Sequence, residues 1–368
     1  MQILHVVGAR PNFMKAAPLL RALASRSGVW QTLVHTGQHY DVNMSAVFFQ
    51  ELGMPQPDVN LQVGSSSQAR QIAEIMIRIE PVLLESRPDW VLVYGDVNST
   101  VAAAVVCAKI GIPVAHVEAG LRSFDRSMPE EINRIITDQL ADLLFTPSQD
   151  GNENLAREGI APDKVRMVGN VMVDTLVCML TKAGSALPAG LPGRYALVTL
   201  HRPANVDDVA WLGGMLDVLG SVSESLPVLF PMHPRTRQKI ADADLAMPNH
   251  GWFRALEPQS YLTFLALQQH AAVVITDSGG IQEETTFLGV PCITVRENTE
   301  RPVTVDVGTN VLVGRDVRRI LVEVKKVLGG NWKSGLIPPL WDGHTAERIA
   351  DVLLAARPHG SCTASMSG

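Results

Sequence analysis

The chain has 368 residues, of which 46% are hydrophobic and 18% are charged, and its formal net charge is −6. This length exceeds what one ordinary hydrophobic core supports and indicates two domains. The low charge content argues against disorder, and the acidic balance argues against a broad nucleic-acid-binding surface. We therefore expect a well-packed, two-domain protein with no nucleic-acid partner.

The N-terminus and the cysteines indicate a cytoplasmic protein with no membrane partner. The first residues, MQILHVVG, lead directly into an apolar strand, without the basic region and cleavage pattern of a signal peptide. No apolar run reaches the ~18 residues that a membrane-spanning helix needs. The four cysteines form no CxxC pair and no zinc-ligand spacing, as expected of buried thiols in a reducing compartment.

The predicted elements alternate between apolar strands and helices along the whole chain. Continuous apolar strands separated by helices are typical of a parallel sheet that is covered on both faces. We predict an α/β fold with two doubly wound, Rossmann-like domains facing a central cleft. The predicted strands are 3–7, 31–37, 90–96, 113–120, 195–201, 227–233, 272–279 and 291–297, and the clearest helices are 68–86, 98–110 and 344–356.

The domain boundaries follow from composition and from the alternation of elements. Residues 1–170 form the predicted N-terminal domain, and residues 171–353 form the C-terminal domain. The segment 181–194 is rich in glycine and proline and is the predicted linker. We expect the C-terminal helix, residues 354–368, to pack back on the first domain.

Polar residues follow seven of the predicted strands. Ligands of doubly wound folds bind beyond the carboxyl ends of the strands. One polar residue there is more often a helix cap or a satisfied buried group, but seven strand ends of this kind indicate a site. These residues are Arg10 with Lys15, Gln38 with His39, Asp96, Glu118, His201 with Arg202, His233, and the segment 277–280.

The segment TDSGGIQEETTFLGVP, residues 276–291, predicts an anion site at the start of a helix. Gly279 and Gly280 each cost about 1 kcal/mol in a helix relative to alanine, but they leave backbone N–H groups accessible to an anion. Glu283 and Glu284 have two explanations: they offset the helix dipole, or they bind the hydroxyl end of a ligand whose phosphate end meets the glycines.

Several familiar motifs are absent from the sequence. It contains no GxGxxG dinucleotide fingerprint, no GxxxxGK[ST] phosphate loop, no HExxH metal helix and no GxSxG nucleophile turn. The predicted site therefore consists of carboxylates, histidines and arginines, and we expect no built-in cofactor and no metal.

Eight motifs, in order between residues 8 and 302, resemble those of the non-hydrolysing UDP-N-acetylglucosamine 2-epimerases. That family has the two-domain fold of GT-B glycosyltransferases, and its members use a UDP-sugar as substrate. We expect a homodimer. The motifs are GARPNFMK, TGQHYD, YGDVNST, HVEAGLRS, MPEEINR, LHRPANV, DSGGIQEE and RENTERP.

The resemblance assigns the nucleotide to the second half of the chain. It implies that Ser278, Gly279 and Gly280 hold the phosphates and that Glu284 binds the ribose hydroxyls. Adjacent helical residues project roughly 100° apart, so Glu283 cannot share the ribose and is assigned to the dipole or to a supporting role. The uracil contact falls near Phe264, a position that core packing would explain equally well.

The resemblance also implies the acid–base groups. Inversion at C2 of the sugar without a nicotinamide requires elimination of UDP to a 2-acetamidoglucal and re-addition, with proton transfer on both faces. Asp96, Glu118 and Glu130 are the candidates, with His201 as a fourth catalytic residue, and Glu131 is a dipole-matched neighbour. The other predicted substrate contacts are Arg10, Lys15, Gln38, His39, Arg122, Arg202, His233 and Arg301.

Other interpretations remain open at this stage. Asp96 could be the N-cap of helix 98–110, and Glu130 satisfies helix-start preferences without any chemistry. Val42 stands where many relatives have the glutamine of a Gln-His-x-x-Gln segment that binds an activating second substrate, so we do not expect that activation. The alternative functions are a hydrolysing 2-epimerase, a 2-epimerase for a modified UDP-acetamido sugar, a GT-B glycosyltransferase and a non-catalytic nucleotide-sugar-binding protein.

Overall fold

The computed structural model describes residues 1–38, 49 and 51–356. These residues form two compact units. The first contains the described residues up to Thr175 together with 339–356, and the second is Leu176–Pro338. No helix in the described ranges is long and apolar enough to cross a membrane.

The first unit contains a seven-stranded sheet in the order β3-β2-β1-β4-β5-β6-β7, and its strand pairings are parallel. The strands are β1 (Gln2–Val7), β2 (Trp30–His35), β3 (Val59–Asn60), β4 (Trp90–Tyr94), β5 (Val114–Val117), β6 (Leu143–Thr146) and β7 (Val165–Met167). The helices are Arg10–Ala24, Gln68–Ser86, Asn98–Ile110, Pro129–Leu140, Gln149–Arg157 and Thr345–Ala355. Helix Val171–Ala183 begins in this unit and ends in the second.

The second unit contains a six-stranded parallel sheet in the order β10-β9-β8-β11-β12-β13. The strands are β8 (Ala196–Thr199), β9 (Val228–Pro231), β10 (Phe253–Leu256), β11 (Val273–Thr276), β12 (Cys292–Thr294) and β13 (Asn310–Leu312). The helices are Pro203–Val206, Val209–Ser223, Pro234–Asp242, Tyr261–Gln269, Gly279–Leu288, Pro302–Asp306 and Val317–Leu328.

The predicted α/β class with two doubly wound parallel sheets is confirmed. Every predicted strand is present, and helices 68–86 and 98–110 have the predicted bounds. The sequence analysis missed β3, β6, β7, β10 and β13, which have only two to four residues each. Four of these, β3, β7, β10 and β13, are the outer strands of the two sheets and contain exposed or half-buried residues, so they lack the continuous apolar run that marks a buried strand.

Helix Gln68–Ser86 shows why these segments are helical. Its apolar and amide side chains at 71, 75, 79 and 83 repeat every four residues, and this face is buried. The hydroxyl of Ser67 accepts from the backbone N–H of Arg70, which caps the start, and Arg87 ends the helix in the left-handed conformation before Pro88.

The division between the units differs from the predicted domain boundaries after residues 170 and 353 and lies outside the predicted linker. Asp174 accepts backbone N–H groups from Thr345 and Ala346 at 3.1 and 2.6 Å, and Thr175 donates to the carbonyl of Met14. These bonds tie the start of helix Val171–Ala183, together with residues 339–356, to the first unit. The predicted boundaries rest on amino-acid composition, which does not reveal tertiary contacts of this kind.

The order of strands reverses once in each sheet. In the first sheet β1 lies between β2 and β4, and in the second β8 lies between β9 and β11. Ligands of doubly wound folds bind at the carboxyl ends of strands beside such a reversal. The residues that follow β1, β4, β8 and β11 are therefore the ones to examine for a site.

Two glycines of the first unit with nearly the same backbone φ differ in how closely another segment of the backbone approaches them. Gly120 and Gly159 have φ of +81° and +80°. A Cβ on Gly120 would lie 2.5 Å from the carbonyl oxygen of Gly151, whereas a Cβ on Gly159 would meet no described atom within 4 Å. We expect Gly159→Ala to cost about 1–2 kcal/mol of unfolding free energy from left-handed strain. Gly120→Ala should cost about 1–3 kcal/mol more. Urea unfolding measures both, and equal losses would contradict the role assigned to the Gly151 contact.

Candidate active site

The predicted acid–base residues of the first unit lie at neighbouring strand ends. Asp96 follows β4 and Glu118 follows β5, and these two strands pair with Tyr94 opposite Val117. The two carboxylate-bearing turns are therefore adjacent at one edge of the sheet. Lys15 reaches the same place from the helix that follows β1.

Glu118 forms a buried ion pair with Lys15. The distance from Lys15 Nζ to Glu118 Oε2 is 2.7 Å, and both side chains are at most 5% exposed. Glu118 has φ of +72°, a strained conformation for a residue other than glycine and one that is concentrated at functional sites. The structure gives Lys15 a carboxylate partner, and its predicted substrate contact stays a prediction. A buried carboxylate without such a partner would be strongly unfavourable.

Asp96 is held by the helix Pro129–Leu140. Its Oδ2 accepts from Arg134 Nη2 at 2.5 Å, and its carbonyl oxygen accepts from Asn133 Nδ2 at 2.8 Å. The N-cap position of helix Asn98–Ile110 belongs to Val97, so the capping interpretation of Asp96 is wrong. Sequence reasoning missed Arg134, although its position three residues after Glu131 on a helix was a usable signal.

Glu130 and Glu131 occupy different environments. Glu130 is exposed in the first helical turn. Glu131 is buried: it accepts three bonds of 2.9 Å, from the N–H and hydroxyl of Ser123 and the N–H of Phe124, and it pairs with Arg134 at 2.8 Å. Glu131 lies in the first helical turn, where it matches the helix dipole as predicted, and it also fixes the turn at 123–124. The catalytic assignment of Glu130 stays a prediction.

Arg122 is directed into the first unit. Its Nε and Nη2 donate to the carboxylate of Glu158 at 2.7 and 2.6 Å, Nη2 lies 2.7 Å from Asp138 Oδ2, and Nη1 donates to the carbonyl of Leu121. With the side chain 1% exposed, these partners occupy the guanidinium. The structure thus gives Arg122 partners inside the first unit, and its predicted substrate contact stays a prediction.

Of the remaining predicted substrate contacts of this unit, the structure describes Gln38 and Arg10. Gln38 is buried, and its side-chain oxygen accepts from the hydroxyl of Ser99 at 2.9 Å. Arg10 is exposed at the first position of its helix. His39 and the activator-segment residue Val42 lie outside the described residues.

In the second unit, Asp277 organises the turn after β8. It is fully buried and accepts the N–H groups of His201 and Arg202 at 3.1 and 2.9 Å, and the ring Nδ1 of His201 lies 3.0 Å from it. Burial alone would raise the pKa of Asp277, but the hydrogen bond and charge of His201, with the backbone donors, more than offset it and lower that pKa. The exposed ring of His233 lies 6.0 Å from that of His201, centroid to centroid.

The two glycines that begin helix Gly279–Leu288 have different surroundings. A Cβ on Gly279 would lie 2.6 Å from Arg301 Nη1 and 2.7 Å from Glu300 Oε1, so this position is glycine because the arginine packs against it. A Cβ on Gly280 would meet no described atom within 4 Å. The first N–H groups of a helix have no intrahelical acceptor, and at Gly280 they are open to approach.

Arg301 is positioned by two buried carboxylates. Its Nε lies 2.8 Å from Glu283 Oε1, and its Nη1 lies 2.5 Å from Glu300 Oε1. Glu300 also pairs with Arg296 at 2.7 Å and with Arg202 at 3.5 Å. Glu283 therefore supports the arginine beside the helix start.

Glu284 faces a different partner from Glu283. Its Oε1 accepts from the hydroxyl of Tyr261 at 3.0 Å, a contact that sequence reasoning missed. Burial raises the pKa of Glu284 to about 7, although the bonds from Tyr261 and Gln268 oppose the shift. Phe264, the predicted uracil contact, packs against the hydrophobic cluster that contains Tyr195, so its core-packing interpretation has structural support.

No group of three or more histidine, cysteine, aspartate or glutamate side chains within the described ranges is arranged to hold a metal ion. In the first unit, Asp96 and Glu118 each have a cation beside them. In the second unit, the predicted site consists of a helix start with two glycines, arginines that pair with Glu300, and Glu284, whose pKa is about 7.

Comparison with solved structures first defines the class of fold. The chain matches a lipopolysaccharide outer core galactosyltransferase with a TM-score of 0.54 at 17% identity over 96% of both chains, which indicates a GT-B-like architecture. Residues 21–354 then match the family described as UDP-N-acetylglucosamine 2-epimerase. The chain belongs to that family, as its motifs predict.

Individual relatives extend over nearly the whole chain. The chain is 41% identical over 366 residues to UDP-N-acetylglucosamine 2-epimerase of Methanocaldococcus jannaschii, covering 96% of this chain and 99% of the relative. A crystal structure of the Methanocaldococcus jannaschii enzyme with UDP-GlcNAc and UDP matches with a TM-score of 0.87 at 40% identity, over 97% and 100% of the chains. UDP-2,3-diacetamido-2,3-dideoxy-D-glucuronate 2-epimerase of Pseudomonas aeruginosa is 39% identical over 356 residues, 96% of this chain and 99% of that one.

The protonation of Glu284 predicts a pH dependence of stability. Its pKa is raised from 4.5 to about 7 in the folded protein, so the unfolded chain releases this proton at lower pH. Glu284 therefore lowers the free energy of unfolding as pH rises from 4.5 to about 7. We expect Glu284→Gln to be more stable relative to wild type at pH 8 than at pH 5, as measured by urea unfolding. An equal difference at both pH values would show that Glu284 ionises normally.

Proposed function

We propose that this protein is a UDP-N-acetylglucosamine 2-epimerase that interconverts UDP-GlcNAc and UDP-ManNAc without hydrolysing them. The observation that carries the proposal is the pair of adjacent strand-end carboxylates, Asp96 and Glu118, each with a cation beside it. Relatives at 39–41% identity over 96% of the chain are 2-epimerases of UDP-acetamido sugars. A glycosyl transferase does not require two carboxylates at the donor sugar.

The proposed reaction proceeds by elimination and addition. A carboxylate removes the proton on C2 while the C1–O bond breaks and its electron pair leaves with UDP, which gives a 2-acetamidoglucal. A UDP oxygen then adds back at C1 while an acid delivers a proton to the opposite face of C2. Asp96, Glu118 and Glu130 are the proposed proton-transfer groups. Lys15 and Arg134 compensate the negative charge of the first two.

The nucleotide contacts are assigned to the second unit. The backbone N–H groups beyond Ser278 and the guanidinium of Arg301 are suited to the phosphates, because Gly280 leaves the helix start open. Glu284 is suited to the ribose hydroxyls, since a carboxylate accepts from both. His201, oriented by Asp277, is suited to donate to the leaving UDP.

A modified UDP-acetamido sugar is the second candidate substrate. The relative from Pseudomonas aeruginosa is a 2-epimerase of a diacetamido glucuronate nucleotide and is nearly as similar to this chain as the UDP-GlcNAc enzyme. The two candidates are discriminated by the kcat/KM for the diacetamido glucuronate nucleotide divided by the kcat/KM for UDP-GlcNAc. A ratio above one would overturn the proposed substrate and leave the elimination mechanism intact.

The carboxylates have a direct kinetic test. In deuterated water, the wild type should incorporate deuterium at C2 of UDP-GlcNAc without added cofactor, as followed by NMR. Asp96→Asn and Glu118→Gln should each lower turnover roughly a hundredfold or more, because proton transfer in the transition state is lost.

Asp142→Asn is the matched control, since its carboxylate accepts from the N–H of Val114 at the opposite end of β5. Its turnover should equal that of the wild type. Product that keeps the C2 hydrogen of the substrate would rule out elimination, and near-normal turnover of either site variant would remove that residue from the acid–base set.

Gly280→Ala tests the phosphate contact. The added methyl group meets no described atom, so the folded protein should be at least as stable as the wild type, but the methyl would obstruct an anion at the helix start. We expect the dissociation constant of UDP to rise at least about tenfold, equivalent to one charge-assisted hydrogen bond of about 1.5–3 kcal/mol. Calorimetry with uridine, which lacks phosphate, should show no change. Equal weakening of UDP and uridine would place the phosphates elsewhere.

A further inference from the structure

His116 is a fully buried residue of β5 to which the sequence analysis assigned no role. Its ring Nε2 lies 2.8 Å from the carbonyl oxygen of Gly95, and its ring Nδ1 lies 2.6 Å from Asp138 Oδ1. The ring therefore bridges the turn after β4 and the helix Pro129–Leu140. It makes a defined hydrogen bond at each end.

The partners of His116 determine where its protons are. A carbonyl oxygen only accepts, so Nε2 must carry a proton. Asp138 is an acceptor as well, because its Oδ2 accepts from the N–H of Gly120 at 3.1 Å and pairs with Arg122. Burial alone would raise the pKa of Asp138, but His116 and Arg122 more than offset it and lower that pKa. His116 therefore donates from Nε2 to Gly95, and a second hydrogen bond joins its Nδ1 to Asp138.

Arg122 pairs with both carboxylates of this network, with Asp138 at 2.7 Å and with Glu158 at 2.6 Å. Buried charges are tolerated when they are paired and hydrogen-bonded in this way. The network is therefore compatible with the complete burial of His116 and Asp138.

The network joins the two turns that carry the proposed proton-transfer groups. Gly95 directly precedes Asp96, and Gly120 lies two residues after Glu118. Asp138 reaches Gly120 directly and Gly95 through His116. One helical turn earlier on the same face, Arg134 holds the carboxylate of Asp96. Helix Pro129–Leu140 thus fixes the backbone of both turns and the side chain of one.

We propose that His116 and Asp138 are positioning residues of the epimerisation. Through the Gly95 carbonyl and the Gly120 N–H they hold the turns of Asp96 and Glu118 in one fixed relation. This inference rests on the proposed function. A small misplacement of a proton-transfer group costs up to about a hundredfold in rate. Loss of either bond should therefore lower kcat, although neither His116 nor Asp138 is proposed to contact the substrate.

Two substitutions separate the two bonds of His116. The amide nitrogen of asparagine lies near the position of ring Nδ1 and can donate to Asp138, but it is too short to reach Gly95. The amide nitrogen of glutamine lies near the position of Nε2 and can donate to Gly95. We expect His116→Asn to lower kcat roughly ten- to a hundredfold, with the KM for UDP-GlcNAc and the dissociation constant of UDP within about twofold of wild type. His116→Gln should recover at least about half of that loss on a logarithmic scale.

His5 provides the matched control. It is also a fully buried strand histidine of the same sheet, and its ring nitrogens lie 2.6 Å from the hydroxyl of Tyr94 and 3.0 Å from Gln31 Oε1. Burial lowers its pKa to about 4, so it is neutral. His5→Asn should lower Tm as His116→Asn does but leave kcat of the folded enzyme unchanged. If both asparagine variants lose kcat equally, or if His116→Asn keeps the wild-type kcat, the positioning role is overturned.

NMR of the wild type, with 15N-labelled histidine, tests the network without any substitution in the measured protein. The signals of His116, identified as those missing in His116→Gln, should show a hydrogen on Nε2 that is protected from exchange with solvent, because it is donated to the Gly95 carbonyl. A ring without a hydrogen on Nε2 would overturn the inference even if His116→Asn fails to fold. The proposed function has a separate test, since it is wrong if the wild type does not epimerise UDP-GlcNAc. The NMR result does not depend on activity, so the two failures are distinguishable.

Discussion

Compensation of buried negative charge is the constraint on which this structure depends. A carboxylate that is to move protons beside a sugar must lie at a strand end, away from bulk water, where an unpaired charge is strongly unfavourable. Glu118 has Lys15, Asp96 has Arg134, Asp277 has His201, and Glu283 and Glu300 share Arg301. Ion pairs of this kind add little net stability, but removing one partner is costly. The cations are therefore as necessary to the site as the carboxylates.

This constraint explains why one helix carries so many polar side chains on its buried face. Glu131, Asn133, Arg134 and Asp138 of helix Pro129–Leu140 are all at most 5% exposed, and each bonds to a turn that follows a strand. A helix is a rigid frame with a fixed rise per residue, so side chains one turn apart set the spacing of the turns that they hold. In the first unit, this helix therefore fixes the arrangement of the turns that carry the predicted site residues.

In the second unit, which we propose binds the diphosphate, charge compensation concerns cations. Guanidiniums suited to a diphosphate must lie close together and would repel one another without intervening carboxylates. Glu300 lies among Arg202, Arg296 and Arg301 and supplies that charge. Glu284 is the exception, because burial raises its pKa to about 7 and the bond from the neutral hydroxyl of Tyr261 offsets that shift only in part. The charge of Glu284 at neutral pH therefore depends on which groups donate hydrogen bonds to its carboxylate.

The sequence by itself determined the α/β class, the doubly wound sheets and the strand ends at which polar residues collect, because strand and helix periods are local properties of the chain. It also determined the family, because eight motifs in order leave few alternatives. It did not determine which way a side chain points from a loop. Arg122 was assigned to a substrate, yet it faces Glu158, which is 36 residues away in sequence. Glu131, Tyr261 and His116 likewise owe their roles to partners on other elements. Only the tertiary structure decides these cases, since a buried charge turns toward whichever distant group can compensate it.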